Sequence, residues 1–207
     1  MGAERVNGPA NIIVMGASTG GVGAWPLLLQ ALGKVDAAIL LVQHMPAFIN
    51  INFARRLSLK TPFEVKLAEE NDTLEPGLIL VAPSLGHCVV EDNRLIHIQP
   101  GPRVNFVCPA IDVTMRSLVA PEIGQNLFGV ILTGMGKDGA AGMVHMKQCG
   151  ARTFAQEKNS CAVFGMPAEA IKTGCVDHVL SPQEIGEEIN RTIASMALRQ
   201  PGVFSRN

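Results

Sequence analysis

The chain has no tyrosine and a single tryptophan in 207 residues, and aromatics make up only 4% of it. The first absence excludes every mechanism that needs a phenol; the second leaves aliphatic side chains to fill most of any core. Charge of one sign is also lacking: 17 basic side chains stand against 18 acidic ones, a formal net charge of −1. A general nucleic-acid or anionic-membrane binder needs a basic excess or stripe, and neither is present. At 17% charged and 47% hydrophobic, the composition is that of neither a disordered chain nor a charged coiled coil. Long apolar runs are missing as well. Ala37 to Val42, among the longest, is strand-length and far short of a membrane span. Cys88, Cys108, Cys149, Cys161 and Cys175 are odd in number and contain no CxxC pair, which argues against a disulfide framework or a thiolate zinc site. The opening MGAERVNGPANIIVMGASTGG has no apolar h-region and does not read as a signal peptide. The expectation is a soluble, cytoplasmic protein with no membrane insertion, no nucleic-acid partner, no metal and no cofactor.

What is present is an alternation of Ile/Val-rich runs with helical patterns, the signal for βαβ units around a buried parallel sheet. Asn11 to Met15 reads as a first strand, followed by a Gly-rich turn and a helix over Gly23–Leu32 that Gly33 closes. Ala38 to Val42 is a strand without polar interruption. Ala47–Leu59 then places Phe48, Ile51, Ala54, Arg55 and Leu59 at helical spacings. Phe63–Leu67, Leu78–Val81, Cys88–Val90 and Leu95–Ile98 are short strands in close succession, with Asp92-Asn93 as a hairpin turn. This block reads as an antiparallel extension of the sheet. A helix over Pro109 to Val119 follows, then a buried strand over Asn126–Leu132, a second Gly-rich turn, and a helix through Met143–Gln148. Arg152–Ala155, Met166–Thr173, Val176–Leu180 and Pro182–Leu198 read as strand, helix, strand and amphipathic closing helix. The fold class is α/β, a doubly wound and mainly parallel sheet with helices on both faces and an antiparallel extension or hairpin. One domain over 11–199 is expected, with tails at 1–10 and 200–207.

In open parallel sheets the loops at the strands' carboxyl ends converge on one crevice. Here those loops carry Gly16-Ala17-Ser18-Thr19-Gly20-Gly21, then Gln43-His44-Met45-Pro46, then Thr133-Gly134-Met135-Gly136-Lys137-Asp138-Gly139. A hydroxyl, an imidazole and a carboxylate at three strand ends are the parts needed for nucleophilic acyl transfer. Ser18 is a weak nucleophile as a neutral alcohol. His44 would take its proton and return it to a leaving group. Asp138 would bind the far ring nitrogen and stabilise the imidazolium. Amides near Thr19, Gly20 and Gly21 and around Met135 would face an oxyanion, each such donor being worth about 2.7–4 kcal/mol in the transition state.

Blander roles exist for each: Ser18 as an N-cap, His44 as a strand terminator, Asp138 as a helix cap. Their joint occupation of the crevice-forming positions favours chemistry. His87, after the Ala82-Pro83 strand end, is the one competing histidine; its blander role is to line a loop. Cofactor motifs fail letter by letter. A GxGxxG from Gly21 meets Pro26, a GxxxGxG from Gly16 meets Val22, and the second strand ends in Gln43-His44 instead of a ribose-binding acid. In the second Gly loop Ile131 stands where a P-loop has its first Gly, and Asp138 replaces the Ser or Thr after Lys137. No HExxH occurs.

These stretches closely resemble the catalytic domain of the chemotaxis protein-glutamate methylesterases (CheB-type). The resemblance is carried by Gly16 to Gly21, Val42 to Pro46, Phe53-Ala54-Arg55-Arg56-Leu57 and Ile131 to Ala140. Pro76-Gly77, Val81-Ala82-Pro83 and Val163-Phe164-Gly165-Met166-Pro167 extend it to nearly the whole chain, in the family's order. It implies a doubly wound fold, a Ser-His-Asp triad at Ser18, His44 and Asp138, and an oxyanion pocket near Thr19 and Met135. It also implies a substrate: glutamyl γ-methyl esters on the cytoplasmic helical bundle of methyl-accepting chemotaxis receptors, with deamidation of receptor glutamines as the sister reaction. Arg55 and Arg56 are candidate contacts to that acidic bundle, with a solvated helix face as the alternative. Two other functions fit the residues, a non-catalytic receptor-binding scaffold of the same fold and an esterase for small esters. The family usually carries an N-terminal receiver domain; here the tail 1–10 precedes the first strand. Pro83-Ser84-Leu85-Gly86-His87 and Ala110 also depart from the family's pattern.

Overall fold

The computed structural model describes residues 9–121 and 125–199; the expected tails 1–10 and 200–207 lie outside it but for residues 9 and 10. In chain order the elements are β1 (Asn11–Ala17), α1 (Gly21–Leu32), β2 (Ala38–Gln43), a 3-10 turn (Ala47–Ile49) running into α2 (Asn50–Ser58), β3 (Glu64–Leu67), β4 (Leu78–Val81), β5 (His87–Glu91) and β6 (Leu95–Gln99). Then come α3 (Ile111–Ser117), β7 (Asn126–Ile131), α4 (Ala140–Gln148), β8 (Arg152–Gln156), α5 (Met166–Lys172), β9 (His178–Leu180) and α6 (Pro182–Arg199).

Seven strands form one sheet in the order β3-β4-β2-β1-β7-β8-β9, and every neighbouring pair is parallel. The fully buried apolar runs of β1 and β2 sit at its middle, because only strands covered on both faces can be apolar at every position. Their alternation splits the core in two. Ile13, Met15 and Ala17 face the layer of α1, α2 and α6, where Trp25, Leu28, Phe53, Leu57, Ile185 and Ile189 pack. Ile12, Val14 and Leu40 face α3, α4 and α5, against Ile111, Met115, Met143 and Met166. The chain leaves β1 in one direction to reach β2 and β4, and in the other to reach β7 and β8. The carboxyl ends of β1, β2 and β7 therefore meet at the point where the strand order reverses, which is where open α/β sheets form their crevice.

Two expectations change. The middle block is not an antiparallel extension: β3 and β4 are parallel members of the main sheet, and only β5–β6 is antiparallel, as a separate two-stranded sheet. The hairpin attaches to the β3–β4 crossover, through Asn71 N–H to Ile96 O (2.9 Å) and Ile96 N–H to Asp72 O (2.8 Å). Its turn is the expected one, with Asp92 and Asn93 at φ 48° and 52°. The second change is the buried stripe of α2. That helix buries Asn50, Phe53, Ala54 and Leu57, leaving Phe48 (82%), Ile51 (71%) and Leu59 (82%) exposed. A helix near the sheet edge has one face to cover, and Phe53 and Leu57 fill it against the α1 layer.

Candidate active site

Ser18 and His44 follow directly on Ala17 and Gln43, which are register partners at the end of the β1–β2 ladder. The ladder runs one bond further, from His44 N–H to Ala17 O (3.0 Å). Adjacent parallel strands lie about 4.8 Å apart, and the two residues come next in the alternation after Ala17 and Gln43. Gln43 ties them together. Its Nε2 donates to both Ser18 O (2.9 Å) and His44 O (3.0 Å), while its Oε1 accepts the indole N–H of Trp25 (2.8 Å). An indole can only donate, so this contact sets which way round the buried amide lies. On the other side of Ser18, its own N–H donates to Thr133 O (3.0 Å), which joins the β1 end to the β7 end. Gly134 must be glycine there, since a Cβ would lie 2.8 Å from Ser18 Cβ and 2.3 Å from Met166 Sδ.

His44 and Asp138, 94 positions apart, meet at 2.9 Å between Nε2 and Oδ2. The imidazole Nδ1 has no protein partner among the described residues, and the Ser18 hydroxyl makes no hydrogen bond among them. Asp138 is 2% exposed and saturated with donors. Its Oδ2 also accepts Ile111 N–H (2.7 Å), and its Oδ1 accepts Asp112 N–H (3.2 Å) and Asn105 Nδ2 (3.0 Å). Burial by itself would raise this carboxyl. The hydrogen bonds from His44, the Ile111 amide and Asn105 outweigh it and hold Asp138 below the ordinary aspartate value. α3 can deliver its first amides this close to the sheet because Gly16 has no Cβ: one there would stand 2.5 Å from Ile111 Cδ1.

The amides of Thr19, Gly20 and Met135 make no hydrogen bond among the described residues. Gly21 differs, for its N–H donates to Ser18 O (2.9 Å) and closes the turn before α1. The Met135 side chain stands 76% exposed at the rim. Arg55 and Arg56 lie exposed in the last turn of α2, with no ion pair among the described residues.

The remaining histidines have other work. His87 is buried, its Nδ1 accepting Ala110 N–H (3.1 Å) and its Nε2 donating to Pro102 O (2.9 Å), so both ring nitrogens are used in anchoring the start of α3. His97 lies between Glu70 and Glu91, His145 donates to Leu118 O, and His178 stacks on Phe154. Nor is there a rival thiolate beside Thr133: burial pushes the Cys161 thiol up to about 11. Sequence reasoning did not single out Gln43, Asn105 or Asp112 as parts of this site. A signal existed for Gln43, a polar residue ending an otherwise wholly apolar strand. Asn105 sits in an irregular loop and gave none.

No helix among the described residues is long and apolar enough to cross a membrane, and no cluster of three or more His, Cys, Asp or Glu side chains among them is placed to hold a metal ion. The fold and the crevice define an α/β protein of the doubly wound class with a His–carboxylate pair at its switch point. Residues 13–189 match the CheB methylesterase family model, and the chain belongs to that family. It is 44% identical over 181 residues to protein-glutamate methylesterase/protein-glutamine glutaminase 3 of Shewanella oneidensis, covering 86% of this chain and 51% of that protein. It is likewise 44% identical over 185 residues to protein-glutamate methylesterase/protein-glutamine glutaminase 2 of Syntrophus aciditrophicus, covering 88% and 54%. The chain thus spans about half the length of these relatives. The crystal structure of the Thermotoga maritima CheB methylesterase catalytic domain superposes with a TM-score of 0.76 at 32% identity, covering 93% of this chain and 100% of that one.

Proposed function

We propose that this chain is a cytoplasmic serine hydrolase, the catalytic domain of a protein-glutamate methylesterase, and that Ser18, His44 and Asp138 carry its chemistry. The observation that carries the reading is the His44–Asp138 bond at 2.9 Å, which occupies Nε2 and leaves Nδ1 without a partner among the described residues, one residue beyond the rung that pairs β1 with β2 next to Ser18. Ser18 Oγ attacks the γ-ester carbonyl of a receptor glutamate as His44 Nδ1 accepts its proton. The amides of Thr19, Gly20 and Met135 receive the oxyanion. The same proton then leaves with methanol, and a water activated by His44 hydrolyses the acyl-enzyme to glutamate. Asp138 stays ionised throughout and stabilises the imidazolium. With glutamine as substrate the steps are identical and ammonia leaves, in keeping with the double names of the relatives.

The partner in this reading is the acidic helical bundle of a methyl-accepting chemotaxis receptor. A side chain on a folded rod requires an open site, and the exposed Met135 rim fits that requirement. Arg55 and Arg56, exposed and with no ion pair among the described residues, supply positive charge on α2. Methanol released from methylated receptor membranes tests the function. Release there supports it; turnover of soluble esters alone makes the chain a small-ester esterase; turnover of neither leaves a receptor-binding scaffold.

A further inference from the structure

Asn105 is not among the groups that acyl transfer requires, yet it touches both buried carboxylates of the site. It lies in a tight loop ahead of α3, closed by the reciprocal bonds of Val104 and Val107, each N–H to the other's O at 3.1 Å. The two tip residues, Asn105 and Phe106, have φ of 52° and 68°, a region that asparagine enters more readily than most residues. Phe106 points to solvent, whereas the Asn105 amide turns inward. Its Nδ2 donates to Asp112 Oδ2 (2.7 Å) and to Asp138 Oδ1 (3.0 Å). Carboxylates facing it only accept, so the amide is oriented with its nitrogen toward them. Two buried carboxylates that share one neighbour repel, and such pairs tend to take up a proton. A neutral amide that gives one hydrogen to each opposes this without adding a cation that would compete with His44 for Asp138. The titratable groups bonded into the cluster are His44, Asp138 and Asp112, each from a different element.

We propose that Asn105 is a positioning residue for the His44–Asp138 pair: by giving one hydrogen to Asp112 and one to Asp138, it holds Oδ1 of Asp138 so that Oδ2 meets the imidazole. The inference rests on the esterase reading of the site. Asn105 acts through Asp138, so its loss slows the activation of Ser18 by way of the imidazole.

The test is the rate at which a fluorophosphonate labels Ser18, followed by mass spectrometry across pH, in the parent, Asn105→Gly and Asn105→Asp. Glycine keeps the positive φ and deletes the amide. Aspartate keeps the shape and replaces both donors with a third carboxylate. Labelling should fall by about 10²-fold in the glycine variant, the size of effect a misplaced group gives. The aspartate variant should fall further, with the acid limb of its profile moved to higher pH, because added negative charge favours the protonated pair. A purely structural role would lower only the folded fraction, read in parallel by circular dichroism, and leave the limb unmoved; that result overturns the proposal. If the aspartate variant does not fold, Asn105→Gly decides alone: labelling at the parent's rate per folded molecule also overturns it. A parent in which Ser18 is not labelled at all defeats the esterase reading and this inference with it, whereas a labelled parent with indifferent variants defeats the role of Asn105 alone.

Discussion

Asp138 and Asp112 cap each other's helices. Asp138, two residues ahead of α4, accepts the first amides of α3 from Ile111 and Asp112 (2.7 and 3.2 Å). Asp112, the second residue of α3, accepts the amides of Gly139 and Gly142 at the start of α4 (2.9 and 2.7 Å). Each carboxylate satisfies amides that a helix start would otherwise leave unpaired, and each sits at the positive end of the partner helix's dipole. The carboxylate bonded to His44 is thereby part of the joint between two helices, and its position cannot drift without separating them.

Stability should therefore depend on Asp138 in a defined pH window. Its folded carboxyl lies below the ordinary value of 3.8, so the charge-dependent stability it contributes is fully present above that value. It is lost as pH falls through the lower folded value. Hydrogen bonds to a charged acceptor are worth about 1.5–3 kcal/mol each relative to their loss, so Asp138→Asn should unfold at clearly lower urea concentration than the parent at pH 7. The gap should narrow only below about pH 4. Urea titrations of both proteins at pH 7 and pH 3 measure it; a gap that is unchanged at pH 3 contradicts the assignment.

Gln43 offers a second check on how the site is held. Gln43→Leu fills the space but strands the Trp25 indole N–H and removes the donor shared by Ser18 O and His44 O. Each buried group left unpaired costs about 1–3 kcal/mol. Trp25 is the sole tryptophan, so its fluorescence reports both the altered indole contact and the unfolding transition. Stability equal to the parent's would mean that these bonds contribute nothing.

Gly16 separates local crowding from general stability. Gly16→Ala drives a Cβ into Ile111 and should cost about 1–3 kcal/mol of overpacking. It should also lower kcat, because the same displacement carries the Ile111 amide away from Asp138. Gly23 is the control: nothing lies within 4 Å of a Cβ there, and Gly23→Ala inside α1 should be neutral or stabilising by about 0.5–1 kcal/mol. Thermal melts should separate the two variants, and ester turnover should fall in Gly16→Ala alone.

In the proposed reading, Arg55 acts on the partner alone. Charge reversal by Arg55→Glu should weaken binding to receptor membranes, and raising ionic strength should weaken the parent toward the same level. Turnover of a small soluble ester should be unaffected. Receptor affinity equal to the parent's removes α2 from the interface.

The parts of this molecule legible in its sequence are those where local pattern and tertiary role coincide. β1, β2 and β7 are runs of buried, mainly aliphatic residues, β1 and β7 ended by glycine-rich turns and β2 by Gln43-His44-Met45-Pro46, so both the strands and the crevice at their ends could be read from spacing. Asp92-Asn93 likewise announced its hairpin. The direction of β3 against β4 was not legible: residues 68–77 recross the sheet without a helix, so the usual mark of a parallel crossover is missing. The exposed face of α2 misled because Phe48, Ile51 and Leu59 are apolar but uncovered. Asn105 and Asp112 took their roles only when two loops and two helix starts converged, and no local pattern encodes such a meeting.

The central claim is that Ser18 is the nucleophile that His44 and Asp138 activate. Its most direct measurement is methanol released from methylated receptor membranes by the parent and by Ser18→Ala at equal folded concentration. The account predicts release by the parent and none above the membrane blank by the alanine variant, with both proteins giving the same circular dichroism spectrum. Release by Ser18→Ala at a rate near the parent's would contradict it.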